Sequence, residues 1–313
     1  MRLFLIVFIM SLMTTISYAR DQIKIVGSST VYPFSTVVAE RFGKSGNKTP
    51  VIESTGTGGG MKLFCAGIGV NTPDMSNASR KIKPKEVKLC KDNGVTEITQ
   101  VIVGLDGIAF TSSVKGKSYN FTKEHLWQAM SDLGSKPTKW SDIDPSLPDY
   151  KIAILTPPAT SGTRDAWNSL VMKKGCPEEI LKEQGKKACY MLREDGAVIE
   201  VGENDTLIIN KLVGEPTYFG IFGFSYYDNS KDKVQAHLIE DKKISLKSIQ
   251  DGSYPISRPL YFYVKDQHIG VIPGVEEYVK EFTSKRAAGP RGYLLDLGLV
   301  PLKSLKESIS KVN

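Results

Sequence analysis

Three short stretches place hydroxyls and bare backbone amides where a tetrahedral anion could be held. They are Gly27-Ser28-Ser29-Thr30, Gly56-Thr57-Gly58-Gly59-Gly60 and Thr160-Ser161-Gly162-Thr163-Arg164. Each stands where a strand pattern gives way to a helix pattern, so the first free N–H groups of a helix would point outward beside the hydroxyls. Ser28 to Thr30 alone could simply cap the helix that follows. In the second stretch the missing side chains let a ligand touch backbone amides, and Thr57 adds a hydroxyl. Its position between strand and helix suits an anion nest better than a merely flexible loop. A nucleotide phosphate loop would need Gly-Lys-Ser/Thr where this chain has Gly60-Met61-Lys62, and the third glycine of a dinucleotide fingerprint would fall at Met61. The third stretch sets hydroxyls, a glycine amide and the Arg164 guanidinium side by side. Asn77-Ala78-Ser79-Arg80 adds a second arginine able to clamp an oxyanion through parallel N–H bonds, or to serve as a salt bridge.

Catalytic groups to match are missing from the pattern. There is no Gly-x-Ser-x-Gly elbow, and no histidine lies near these hydroxyls in sequence. Ser45-Gly46-Asn47-Lys48 matches Ser-x-x-Lys without its companion motifs and reads as a surface turn. His125, His237 and His268 are far apart and there is no Cys-x-x-Cys, so a metal site is not expected. The chemistry on offer is binding.

The elements that must position these turns alternate. Gln22 to Val26 reads as a strand and Tyr32 to Phe42 as a helix, with Pro33 in its first turn and Phe34, Val37, Val38 and Phe42 at helical spacing. Val51 to Ser54 is a second strand, and the glycine loop is expected to lead into a short helix over Met61 to Ala66. The same order returns at Ile152 to Leu155, a turn from Pro157, and a helix from Arg164 to Lys174 with Trp167, Leu170 and Val171 on one face. Such alternation indicates an α/β architecture with mainly parallel sheets. Val101 to Phe110 and Pro259 to Val264 are apolar strands placed where the chain would cross between domains, with helices near Val275 to Arg286 and Gly292 to Leu297 returning to the first.

A chain of 313 residues, 41% hydrophobic and 24% charged, has room for two ordinary domains. The start departs from that average: Arg2, the apolar run Leu3 to Met13 and Ser17-Tyr18-Ala19 read as a secretory signal cleaved after Ala19, and the apolar run is too short to span a bilayer. No cysteine follows the cleavage point to carry a lipid. Export lets Cys65, Cys90, Cys176 and Cys189 pair, with three connectivities open. Pairing by proximity, Cys65 with Cys90 and Cys176 with Cys189, keeps each bridge within one half of the chain. The net charge of +7 falls by one when Arg2 leaves with the signal. It suits an anionic partner, but the lysines form no basic block, and export makes nucleic acid the weakest candidate.

Taken together and in order, Gly27-Ser-Ser-Thr-Val-Tyr-Pro33, Gly56-Thr-Gly-Gly-Gly60, Asn77-Ala-Ser-Arg80 and Ser161-Gly-Thr-Arg-Asp165 resemble the phosphate-binding receptors of bacterial phosphate ABC transporters over essentially the whole mature chain. The resemblance implies a two-lobed periplasmic-binding-protein fold, each lobe a mainly parallel sheet flanked by helices and joined by hinge strands. The expected lobes are 20–110 plus 259–313 and the inserted 111–258, after a signal at 1–19. It further implies a monomeric, non-enzymatic periplasmic receptor without cofactor or metal, holding inorganic phosphate and passing it to a permease in the inner membrane. Matched position by position, Ser29, Thr30, Thr57, Ser161, Gly162 and Thr163 are the implied phosphate contacts. Two positions depart: Arg80 stands where members carry a proton-accepting Asp, and Pro157 where they carry an Arg. Arg80 is therefore expected to be the principal guanidinium on the ligand, with Arg164 either a second contact or the partner of a carboxylate. An Asp in the site would reject fully ionised sulfate, whereas Arg80 imposes no such penalty, so sulfate and arsenate remain alternative ligands. The alternatives from other classes are an exported hydrolase or phosphatase using Ser29 or Ser161, and an adhesion module.

Overall fold

The computed structural model describes residues 20–159, 161–202, 205–305 and 308–312; the expected signal peptide and Thr160 lie outside them. Among the described residues, twelve strands run in chain order as β1 (Lys24–Gly27), β2 (Val51–Ser54), β3 (Met75–Ala78), β4 (Ile98–Ser113), β5 (Asn120–Phe121), β6 (Ile154–Thr156), β7 (Val198–Glu200), β8 (Phe219–Gly223), β9 (Val234–Ala236), β10 (Leu238–Ile239), β11 (Ser257–Lys265) and β12 (Ile309–Lys311). Five helices matter for the site: α1 (Tyr32–Lys44), α2 (Gly56–Phe64), α3 (Pro84–Asp92), α4 (Lys123–Met130) and α5 (Gly162–Trp167). Past α5 the chain stays helical through Asn168–Met172 and Lys173–Gly175.

The main sheet is ordered β2-β1-β3-β11-β4-β8-β6-β7, with β9 and β12 also paired to β4. Its two ends are parallel, β2-β1-β3 in one lobe and β8-β6-β7 in the other. Between them β11 and β4 run antiparallel to each other and to their flanking strands. At 16 residues, β4 extends roughly 50 Å at strand rise and serves both lobes. Its first half pairs with β11 and its last with β8 and β9.

Strand alternation decides which core each residue joins. On β11, Leu260, Phe262 and Val264 face a core with Val101 and Val103 of β4, Phe34, Val38 and Phe42 of α1, and Tyr278 and Phe282 of the helix Val275–Phe282. Tyr261 and Tyr263, pointing to the opposite face, join Ile98, Met61, Phe64 and the Cys65–Cys90 bridge. The other lobe has its own core, drawn almost wholly from residues 108–256 and centred on Phe110 stacked on Phe219 at 5.3 Å, with Phe121, Trp140 and Trp167 around them. The edge strand β2, read correctly as a strand from Val51-Ile52, has little buried surface.

Both disulfides pair by proximity, Cys65 with Cys90 and Cys176 with Cys189. In the chain-entropy account each contributes about 3 kcal/mol. The first ties the end of α2 to α3, and the second ties the end of the helix after α5 to the turn Ala188–Tyr190.

The glycine stretch is corrected by the structure. No loop precedes the helix: α2 begins at Gly56, and all four glycines lie in its first turns. Glycine costs about 1 kcal/mol per helical position relative to alanine, so propensity argues against this helix. Close approach explains part of the choice, because a Cβ on Gly60 would stand 2.4 Å from the Gly27 Cα and 2.8 Å from the Ser76 Oγ. Helix α2 can therefore lie directly on the end of β1 and bring its free amides beside the Ser28–Thr30 turn.

Candidate functional site

Between the lobes lies a cavity of about 660 Å³, and its walls include Ser29, Thr57, Gly58 and Arg80 from one side and Asp165 and Ser169 from the other. The hydroxyls of the first turn are not used for capping. Helix α1 has Val31 at its N-cap and receives no side-chain cap, so Ser29 and its free amides stay available at the positive end of a 13-residue helix. Thr57 is held in place from behind. Its Oγ1 accepts the Ser79 N–H at 3.1 Å and stands 3.2 Å from the Ser79 Oγ, which fixes Ser79 and Arg80 next to the glycine amides.

The third turn meets the first. Thr30 Oγ1 donates to the Gly162 carbonyl at 3.3 Å. A Cβ on Gly162 would fall 2.6 Å from the Thr30 Cα, so only glycine lets the two lobes touch there. Ser161 caps α5, its Oγ accepting the Thr163 N–H at 3.2 Å. Ser161, Gly162 and Thr163 thus close the base of the cleft against Thr30.

The two arginines read from sequence take different places. Arg80 lines the cavity, yet its guanidinium is held by Glu86 in a two-pronged pair at 2.7 and 2.9 Å. Glu86 also accepts the Lys83 N–H at 2.9 Å, as the third helical residue of α3 reaching back to the N-cap. Arg164 turns away from the cavity into its own lobe. It donates to the Pro157 carbonyl at 3.0 Å and to Thr156 Oγ1 and Glu200 Oε1 at 3.3 Å. Of the two roles expected for Arg164, partner of a carboxylate is the one seen.

A third arginine was missed. Arg258, near the start of β11, is only 9% exposed and lines the cavity. Its guanidinium donates to Thr30 Oγ1 at 3.0 Å and to Ser169 Oγ at 3.1 Å, linking the first turn to the facing helix. Asp106 stands opposite it in the β4–β11 register, with Oδ2 3.5 Å from the Arg258 Nε, and Asp165 Oδ2 lies 3.7 Å from Nη2. Burial pushes the Asp106 carboxyl up, and the Arg258 charge pulling the other way does not cancel it. One buried guanidinium flanked by two carboxylates is the electrostatic centre of the cleft. Only the paired strands bring it there, and Ser257-Arg258-Pro259 carries no local signature that would have announced it.

The Glu86 partnership has a measurable consequence. Burial pushes the Glu86 carboxyl up, but hydrogen bonds from Arg80 and the Lys83 N–H outweigh it and hold the group below its ordinary value. A depressed folded value means the pair stabilises the fold above the usual carboxylate range, and this is lost as pH falls through the folded value. Because the pair is partly open to water, Glu86→Gln is expected to cost about 1 kcal/mol at neutral pH. Urea denaturation near pH 7 and below about pH 4 should show a shallower acid loss in the variant than in the native chain. An identical acid loss in both would remove the pair from the stability of the first lobe.

Imidazole groups stand elsewhere. His125 accepts the Thr122 N–H at the start of α4, His237 accepts the Tyr119 N–H within the second core, and His268 contacts Asp74 at 2.6 Å. Among the described residues no group of three or more His, Cys, Asp and Glu could hold a metal ion. None of the described helices is long and apolar enough to cross a membrane.

A family model for the PBP superfamily domain matches residues 14–286. The chain belongs to the PBP superfamily. Relatives of this PBP chain include the phosphate-binding protein PstS of Staphylococcus epidermidis, 30% identical over 293 residues that cover 90% of this chain and 80% of that one. Protein SphX of Synechococcus elongatus is 30% identical over 249 residues, covering 77% and 67% of the two chains. Among solved PBP structures, a possible phosphate binding protein from Planctomyces limnophilus superposes with a TM-score of 0.74 at 28% identity, covering 91% of this chain and 95% of that one. A family of substrate-binding receptors, rather than enzymes, fits a cleft rich in donors with no imidazole beside its hydroxyls.

Proposed function

We propose that the chain is an exported receptor that captures inorganic phosphate between its lobes and delivers it to an ABC transporter. The observation that carries the reading is the convergence of the uncapped α1 turn, the α2 amides with Thr57, and buried Arg258 on one cavity at the crossing of the lobes. Relatives named as phosphate-binding proteins supply the ligand. Hydroxyls and amides that donate, plus one buried guanidinium, suit an oxyanion stripped of its water. In this reading Ser29, Thr57 and Arg258 hold the anion, with Arg80 a partly neutralised neighbour. Thr30, Ser161, Gly162 and Thr163 meet it when the lobes move, and Arg164 stays structural.

The lobes are taken as 20–110 with 259–313, and 111–258, in line with the composition of the cores. The segment 1–19 serves as the export signal, the mature chain works as a monomer in the periplasm, and its macromolecular partner is the permease of the inner membrane.

Calorimetric titration of the mature chain with phosphate, sulfate and arsenate over about pH 5 to 9 tests the reading. Phosphate should bind in the micromolar range or tighter, equivalent to about 8 kcal/mol or more. No binding of phosphate, or tighter binding of sulfate, would overturn it. A chromogenic phosphate ester should be left intact.

A further inference from the structure

The cleft carries more positive charge than one anion at its base requires. Lys81 and Lys83 on one lobe and Lys173 and Lys186 on the other line the same cavity as Ser29, Thr57 and Arg258. None of the four lysines has a carboxylate within ion-pair distance among the described residues, whereas Arg80, beside Lys81 in the chain, is already engaged by Glu86. The crowding is felt at Lys83, whose ammonium is held below its ordinary value by Arg80 first, then by burial, with Lys85 and Lys186 adding to it against the pull of Glu86.

The lysines are also built in rather than scattered. Lys83 occupies the N-cap position of α3, its N–H bound by Glu86, and α3 is stapled to the end of the glycine helix by Cys65–Cys90. Lys173 lies on the helical stretch that ends at Cys176, and Lys186 precedes the turn holding Cys189, so the second bridge fixes these two lysines relative to each other. Each disulfide thus pins one jaw of the cleft mouth. The base is shut where Thr30 meets Gly162, while Ser29, Thr57 and Arg258 share the open cavity with the lysines. Its volume, about 660 Å³, lies in the range of sites for small organic ligands, roughly 300–1,000 Å³, and far exceeds one tetrahedral anion.

We propose that the lysine jaws form a second anion subsite, and that the cleft therefore takes condensed phosphate, pyrophosphate or a short linear polyphosphate, with one terminal group on the base turns and the next between Lys83 and Lys186. The proposal rests on the reading of the base as a phosphate site and widens its ligand class. Four ammonium groups without carboxylate partners favour a second charged phosphoryl group over the neutral remainder of a phosphate ester.

The test is calorimetric titration of the mature chain with orthophosphate, pyrophosphate and glycerol 3-phosphate. The native protein should bind pyrophosphate at least as tightly as orthophosphate. Lys83→Gln with Lys186→Gln should weaken pyrophosphate by about tenfold or more, while orthophosphate changes by less than about twofold. Lys211→Gln with Lys247→Gln, which removes the same charge from residues that do not line the cavity, should change neither. Binding of orthophosphate without pyrophosphate overturns the jaws and leaves the phosphate receptor standing. Pyrophosphate bound without orthophosphate supports the jaws and overturns the receptor for inorganic phosphate, and binding of neither overturns both. An equal loss of both ligands in the jaw variant, or glycerol 3-phosphate bound as tightly as pyrophosphate, also overturns the proposal, because the mouth would then act as a general field or accept an uncharged group.

Discussion

Replacing Arg258 by alanine is expected to weaken phosphate binding by about 2 to 5 kcal/mol, the range for truncating one partner of a buried charge pair. The size follows from where the guanidinium sits. It is 9% exposed, reaches both lobes through Thr30 and Ser169, and faces two carboxylates within 3.7 Å. Removing it leaves Asp106 and Asp165 as uncompensated negative charge beside an anion. Arg80→Ala should cost less, because the Arg80 guanidinium is 32% exposed and screened by water, whereas Arg258 is 9% exposed. Titration of the two variants side by side gives the ranking. If Arg80→Ala costs as much as Arg258→Ala or more, Arg80 is restored as the principal guanidinium on the ligand and Arg258 is left as a structural link between the lobes.

Asp165→Asn is expected to lower the preference for phosphate over sulfate by about tenfold or more. The sequence alone offered no carboxylate to enforce that preference, since Arg80 replaces the expected Asp. The structure puts Asp165 on the cavity wall, 3.7 Å from Arg258 and largely in contact with water. Phosphate keeps a proton it can give to a carboxylate oxygen, whereas sulfate brings only another negative oxygen, and like charges in contact cost several kcal/mol. Neutralising Asp165 lifts that penalty, so the gain should appear chiefly as tighter sulfate. Competition titration of the two anions reads it directly. A ratio that does not move would remove Asp165 from the discrimination between the two anions.

The parts of the candidate site that were legible in sequence are those written within one turn. Ser29 with Thr30, Thr57 among its glycines, and Ser161-Gly162-Thr163 each combine donors over a few residues, and strand-to-helix placement is a local pattern too. Arg258 was not legible because its partners lie on three other segments, at Thr30, Asp106 and Ser169, and meet only through the register of β11 against β4. The capture of Arg80 was hidden for a related reason. Glu86 lies in the first turn of α3, and nothing local shows that its carboxylate also reaches back over six residues to a guanidinium. Fold class was readable from alternation, whereas the sequence left three disulfide connectivities open, of which the structure has the one that pairs neighbours. The glycine helix defied local reading because packing against Gly27 and Ser76, not propensity, sets its start.

The order of strands in the main sheet also dictates an order of assembly. Strand β11 sits between β3 and β4, yet it is made only after the whole segment that builds the second core. Until it arrives, the first lobe lacks its central strand, and Arg258 of the cavity wall is absent as well. The inserted segment, by contrast, holds most of its own core within one continuous stretch and closes Cys176–Cys189 over a short loop. Long-range pairing of this kind is slow because loop closure must be paid before contacts reward it. The first lobe therefore cannot lock until β11, Ser257–Lys265, has been made.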